Sequence, residues 1–187
     1  DGAASLEQRA LDLGIRVTRR LEVINGFAAS GSPAALDQLA AEPGVVSVSD
    51  DQAMTPLSMV PSLGYDPADA GSLSSTTQIV GAQDAWARGY TGAGVDVAVI
   101  DTGVAPVPGL NNPGQVIIGP DLSFDAPGAA TPGLDGFGHG TFMAGLIAAN
   151  SAAYKGIAPG ARIVNVKVGV ADGGVDVSQV IAAIDWV

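Results

Sequence analysis

Apolar residues near the start of the chain, Ala4, Leu6, Ala10, Leu11 and Leu13, recur at helical spacing, and Gly14 ends the run. This predicts a helix over residues 3–13, followed by an alternating stretch from Arg16 to Ile24 that reads as a strand. A second, shorter helix is predicted from Pro33 to Ala41. Ser32 can cap it, Pro33 suits its opening position, Leu36, Leu39 and Ala40 supply its apolar stripe, and Pro43-Gly44 ends it. Val45, Val46 and Val48 then read as another strand. From Asp50 to Thr77 the pattern dissolves into Pro, Gly, Ser and Asp, with Pro56, Pro61 and Pro67 spaced through it, which predicts a linker or long loop.

Beyond the linker the pattern changes character. Gln83 to Arg88 reads as a short helix ending near Gly89, and Val95 to Ile100 as a buried strand carrying one charge, Asp96. Val116 to Ile118 reads as a strand, and Gly119 to Gly138 as a loop rich in Pro, Gly and Asp. Phe142, Met143, Leu146 and Ile147 give helical spacing behind His139. Ile163, Val164, Val166 and Val168 mark the next strand, and Val177, Val180, Ile181, Ile184 and Val187 the next helix. Alternation of strand and helix predicts an α/β fold whose largely parallel sheet is covered on both faces. The last helix meets no Gly, Asn or Pro stop signal, and the chain opens on Asp1 without a signal-peptide pattern. The expectation is a cropped or processed polypeptide, or one piece of a nicked enzyme.

Composition narrows the functions. Of 187 residues 47% are apolar, enough for a core, while 19 acids against 8 bases give a net charge of −11 and argue against a nucleic-acid partner. Without cysteine there is no disulfide framework or thiolate metal site, and no run of 18 apolar residues predicts a membrane span.

The candidate chemistry lies at two places. Asp101 ends the run Val97-Ala98-Val99-Ile100, where the carboxyl ends of strands in open α/β sheets face the functional crevice. It admits two readings: a carboxylate that orients and stabilises an imidazole, or one that accepts local backbone hydrogen bonds. His139, the only histidine, directly precedes a helical run; it is either a structural loop residue or a base suited to proton exchange near neutral pH.

Three ordered stretches, Val97 to Gly103, Asp135-Gly136-Phe137-Gly138-His139-Gly140-Thr141 and Gly156-Ile157-Ala158-Pro159-Gly160-Ala161, resemble the subtilisin-like serine proteases, over roughly Thr76 to Val187. The resemblance implies that Asp101 orients His139, and that His139 serves as general base and then general acid. It also implies that Val23 to Ala29, the helix holding Leu36 and Leu39, and Pro43 to Val48 form an inhibitory propeptide, a small α+β ferredoxin-like module that assists folding and covers the cleft. The strand that usually opens such a module is missing before residue 3. The organisation expected is a propeptide-like module over residues 1–50, a linker and processing region over 51–77, and the beginning of a subtilisin-like catalytic domain over 78–187. Self-cleavage would fall between Asp50 and Gln78.

The family nucleophile, a Ser in Gly-Thr-Ser-x-Ala, and its oxyanion Asn are not found. Ser151 and Ser178 sit in a turn and at a helix start, and Asn165 lies inside a strand, so the chain supplies no nucleophile of its own. Phe142 and Met143, where the family commonly has His-Val, read as packing behind the histidine. The stretch from Val166 to Gly174 is the counterpart of one cleft wall, in which Gly169, Gly173 and Gly174 would let substrate backbone approach; turn-making is the competing reading. The reaction needs no cofactor. The family often carries structural calcium, but Asp121, Asp125, Asp172 and Asp176 form no dense ligand loop.

The resemblance therefore implies a secreted or cell-surface serine endopeptidase precursor. Its partners would be a peptide or protein substrate, the propeptide in cis and the remainder of the catalytic domain. Two other classes stay open: a non-catalytic inhibitory or folding module, with a peptide-binding pseudoprotease as its relative, and an aspartic protease built as a homodimer around Asp101-Thr102-Gly103.

Overall fold

The computed structural model describes residues 2–54, 73–152 and 154–187, so Pro56, Pro61 and Pro67 lie outside the described residues. Two compact units are present, one formed by Asp1–Met54 with Asp176–Val187 and the other by Thr55–Val175.

The first unit contains helix α1 (Gly2–Asp12), strand β1 (Arg16–Leu21), a 3₁₀ turn (Glu22–Ile24), β2 (Gly26–Ser30), α2 (Pro33–Ala40) and the two-residue β3 (Ala53–Met54). Strands β1 and β2 form an antiparallel hairpin running from Arg16 opposite Ser30 to Leu21 opposite Gly26. Asn25, at a left-handed φ of 50°, closes the 3₁₀ turn between them. Ala10, Ile15 and Leu39 are buried together, with Leu13, Val17, Phe27 and Leu36 packed around them. The cap on α2 forms as its sequence implies: Ser32 Oγ accepts from the Ala35 amide at 3.3 Å, with Pro33 in the first turn.

The strand expected at Val45–Val48 does not form. A strand needs a partner ladder, and Val46 is 99% exposed while the Val45 amide closes a turn onto the Glu42 carbonyl. Among the described residues the β1–β2 hairpin is the main strand pairing of the first unit, and with the parallel sheet of the second unit the chain is a mixed α/β fold. Helix α6 (Val177–Trp186), expected as the last helix, packs on β1 and the 3₁₀ turn within this unit. Asp176 and Gln179 form a capping box at its start.

The second unit contains α3 (Leu73–Ile79), α4 (Ala82–Ala87), β4 (Asp96–Asp101), β5 (Val116–Asp121), α5 (His139–Ala148) and β6 (Arg162–Lys167). Helix α3 lies partly within the stretch expected to be a linker. The three strands form a parallel sheet in the order β4-β6-β5, with Asp96 opposite Arg162 and Asp101 opposite Lys167. The central position of β6 explains its apolar run: Ile163 and Val166 are completely buried. Helix α5 packs on β4 and β6 through Ala144 and Ala148, whose small side chains let it approach Val99 and Ile163. The charge of Asp96 is accounted for at the sheet's opposite end, where the Arg162 guanidinium donates to both of its oxygens at 2.6 and 2.7 Å.

Candidate functional site

The site is assembled where β4 ends and α5 begins. Asp101 closes β4, and His139 is the first residue of α5. The imidazole Nδ1 lies 2.8 Å from both Asp101 oxygens, one of which also accepts from the Thr102 amide at 2.7 Å. Their side chains are only 15% and 17% exposed. A carboxylate facing Nδ1 selects the tautomer with hydrogen there and leaves the Nε2 lone pair available to take a proton. Asp101 thus faces an imidazole rather than a second carboxylate, which removes the support for the aspartic-protease reading.

Thr102 and Asp135 carry this pairing. Thr102 is 2% exposed, and its hydroxyl donates to Asp135 Oδ1 at 2.8 Å while accepting from the Gly140 amide at 2.9 Å. Asp135 also accepts from the amides of Phe137, Gly138 and Thr141 at 3.0, 2.7 and 2.8 Å, and from the Thr141 hydroxyl at 2.6 Å. Burial alone would push the Asp135 carboxyl upward, but the bonds from Thr141, Gly138 and Thr102 hold it below the usual carboxylate range. Asp135 therefore gathers the loop entering α5, the helix's first turn at Thr141 and the residue after Asp101 onto one carboxylate. The motif drew attention to it only as part of a family string; an Asp just before a helix start in a Gly-rich loop was the available signal.

Two glycines make the approach possible. A Cβ on Gly140 would lie 2.1 Å from the Gly103 carbonyl oxygen, and Gly103, at φ 110°, has the Gly133 carbonyl 2.6 Å from where its own Cβ would be. The helix start and the strand end meet backbone to backbone.

The other predicted positions fall elsewhere. The Ser151 hydroxyl donates to the Tyr154 carbonyl, and that of Ser178 to Asp51. Asn165 is fully buried and donates to the Gly133 carbonyl at 2.8 Å, which leaves it no role as an exposed oxyanion donor. Among the described residues no hydroxyl bonds to His139 Nε2. Phe142 corrects an expectation: it is 57% exposed rather than packed in the core, because α5 turns Ala144 and Ala148 toward the sheet. Gly169 presses on Thr102, with 2.8 Å between its would-be Cβ and Thr102 Cγ2. Gly173 lies under the Phe137 ring, and the Gly174 carbonyl accepts from the Val170 amide. The carboxylates suggested for calcium are occupied locally: Asp121 by Ser123 and Gly133, Asp125 by the Ala171 amide, Asp172 by the Gly174 amide. Among the described residues no group of three or more His, Cys, Asp or Glu side chains that could hold a metal ion gathers. No helix among the described residues is long and apolar enough to cross a membrane.

The profile of the subtilase family matches residues 92–187, just over half the chain and the part holding Asp101 and His139; the chain belongs to that family. Individual relatives agree. An alkaline protease of Alkalihalobacillus alcalophilus is 33% identical over 177 residues, 94% of this chain and 41% of its own length. Subtilisin E of Bacillus subtilis is 33% identical over 176 residues, 92% of this chain and 41% of its own. Subtilisin Savinase of Lederbergia lenta is 45% identical over 101 residues, 53% of this chain and 35% of its own. The chain thus spans about two fifths or less of the length of these relatives.

Proposed function

We propose that this chain is the N-terminal part of a secreted serine endopeptidase precursor. In this reading Asp101 holds His139 in the tautomer that can take a proton from a serine hydroxyl supplied outside these residues. The hydroxyl oxygen attacks the peptide carbonyl, the proton passes to Nε2, and the same nitrogen then returns it to the leaving amine; water resolves the acyl-enzyme through the same base. The observation that carries the proposal is the contact of His139 Nδ1 with both oxygens of a carboxylate at the end of a parallel strand.

Residues 1–50 would act as the inhibitory propeptide, residues 51–77 would contain the processing region, and Gly169, Gly173 and Gly174 would contribute to one wall of the substrate cleft. That residues 1–50 pack on part of the family-matched segment is supported by their bonds to α6. Asp185 accepts from the amides of Glu22 and Val23, and Asp51 from the Ser178 amide.

The test is a polypeptide extended to the length of the relatives and treated with a fluorophosphonate. A single adduct by intact mass, lost in His139→Ala, is expected; an extended, folded chain that stays unmodified sinks the proposal. Adding the 187-residue chain in trans to a mature subtilase tests the inhibitory role, for which saturable inhibition is expected and its absence is decisive.

A further inference from the structure

Lys167 is buried, and the site described so far does not use it. It ends β6, lies opposite Asp101 in the parallel register and is 3% exposed. Its ammonium donates to the Thr102 carbonyl at 2.7 Å and to the Gly169 carbonyl at 2.6 Å, and among the described residues no carboxylate pairs with it. A buried ammonium is costly to desolvate, and an apolar side chain of similar length would fill the same space without that cost. A purely packing role gives no reason for the charge.

The two acceptors show what the charge does. Thr102 follows Asp101, and its hydroxyl joins Asp135 to the first turn of α5. Gly169 opens the turn after β6, and its amide, with that of Val168, donates back to the Asp101 carbonyl. The ammonium therefore ties together the two segments that leave the sheet beside Asp101, one continuing from β4 and the other from β6. A tetrahedral ammonium can serve two carbonyls that belong to different turns, and charge-assisted bonds are the stronger kind for such a brace.

We infer that Lys167 is a positioning residue for the Asp101–His139 pair, bracing the Thr102 and Gly169 turns so that the carboxylate meets imidazole Nδ1 with both oxygens. Its ammonium makes no hydrogen bond to either side chain of the pair and acts through Thr102. The inference rests on the pair being the functional unit proposed above.

The test uses the chain itself, whose single histidine means that every imidazole signal in proton NMR comes from one ring. In the unsubstituted chain a low-field Nδ1–H line, protected from solvent exchange and abolished by Asp101→Asn, is expected. Lys167→Met keeps the stem and removes the donors; the chain stays folded by circular dichroism, and the Nδ1–H line is lost to exchange. Lys167→Gln keeps N–H donors without the charge and retains part of the line. An unchanged line in folded Lys167→Met overturns the inference. Unfolding of both variants overturns it as well, since Lys167 would then be a requirement of the fold rather than of the site. A missing line in the unsubstituted chain defeats the Asp101–His139 pair itself, and is told apart because it appears before any change at position 167.

Discussion

In the unit formed by residues 1–54 and 176–187, polar links between elements run through exposed side chains near the surface, two of them long arginines. Arg9 reaches Glu42, Arg20 reaches Glu7, and Asp185 reaches the amides of Glu22 and Val23. In the unit formed by residues 55–175 the links around Asp101 and His139 run through the short side chains of Thr102, Thr141, Asp135 and Asn165 and the buried ammonium of Lys167, while an exposed pair, Arg162 with Asp96, sits at the far end of the strands. Long exposed side chains lose more rotamer freedom when held, and salt screens what they gain. Short, buried ones lose little and fix distances closely. The first unit is joined by contacts that can be exchanged, whereas the contacts around Asp101 and His139 set a geometry.

The sharpest way to break this contrast is in the apolar layers beneath it. Ile163→Ala, at a fully buried position between α5 and the sheet, is expected to cost about 2–5 kcal/mol in urea unfolding, and Leu39→Ala in the smaller first core to fall at the low end of that range. Next comes Asp135→Ala, which leaves several donors around α5 without their acceptor and should cost about 3 kcal/mol. It should also disturb the His139 imidazole signal, which a mutation in the first unit should not.

Acid offers a gentler probe of the same carboxylate. Because the Asp135 carboxyl is held below its ordinary value of 3.8, its stabilisation is complete above that pH and drains away as pH falls through the lower folded value. Asp135→Asn should flatten that part of the stability curve, measured by urea unfolding at stepped acid pH; an unchanged slope would remove Asp135 as its source.

The first unit should respond less. Asp185→Asn is expected to cost about 1 kcal/mol and to speed hydrogen exchange at the Glu22 and Val23 amides while leaving the His139 signal alone. Smallest of all is Arg20→Gln, for which no measurable change in unfolding midpoint is expected at moderate salt, although Arg20 bonds Glu7 through two nitrogens. A large loss there would erase the contrast between the units.

The parts of the fold that announce themselves in the sequence are those whose signals are local. Strand β6 reads as an apolar run because a central parallel strand buried on both faces has no polar face to alternate, β4 beside it keeps an apolar run around the buried Val99, and α2 carries its cap and its proline in order. Asp101 and His139 were legible because a strand end and a helix start are marked by the patterns on either side of them. What escaped depends on partners. Val45–Val48 has strand-forming residues but no neighbouring edge, β2 is built from small residues without clear alternation, and α3 is rich in Ser and Thr, which favour helices weakly. The outward face of Phe142 could not be told from spacing in a helix that is apolar nearly all round. Asp135 and Lys167 escaped for the same reason: each meets Thr102 only after the sheet has formed, across 33 and 65 positions of sequence.

The meeting of Gly140 with the Gly103 carbonyl has a consequence for anyone who would redesign this protein. A library randomised at position 140 should return glycine almost alone, since any side chain there would have to displace the peptide that follows Asp101 and Thr102. The surface beside the histidine can therefore be varied at exposed neighbours such as Phe142, one helical turn beyond His139, but moving the histidine itself requires rebuilding two backbone segments together.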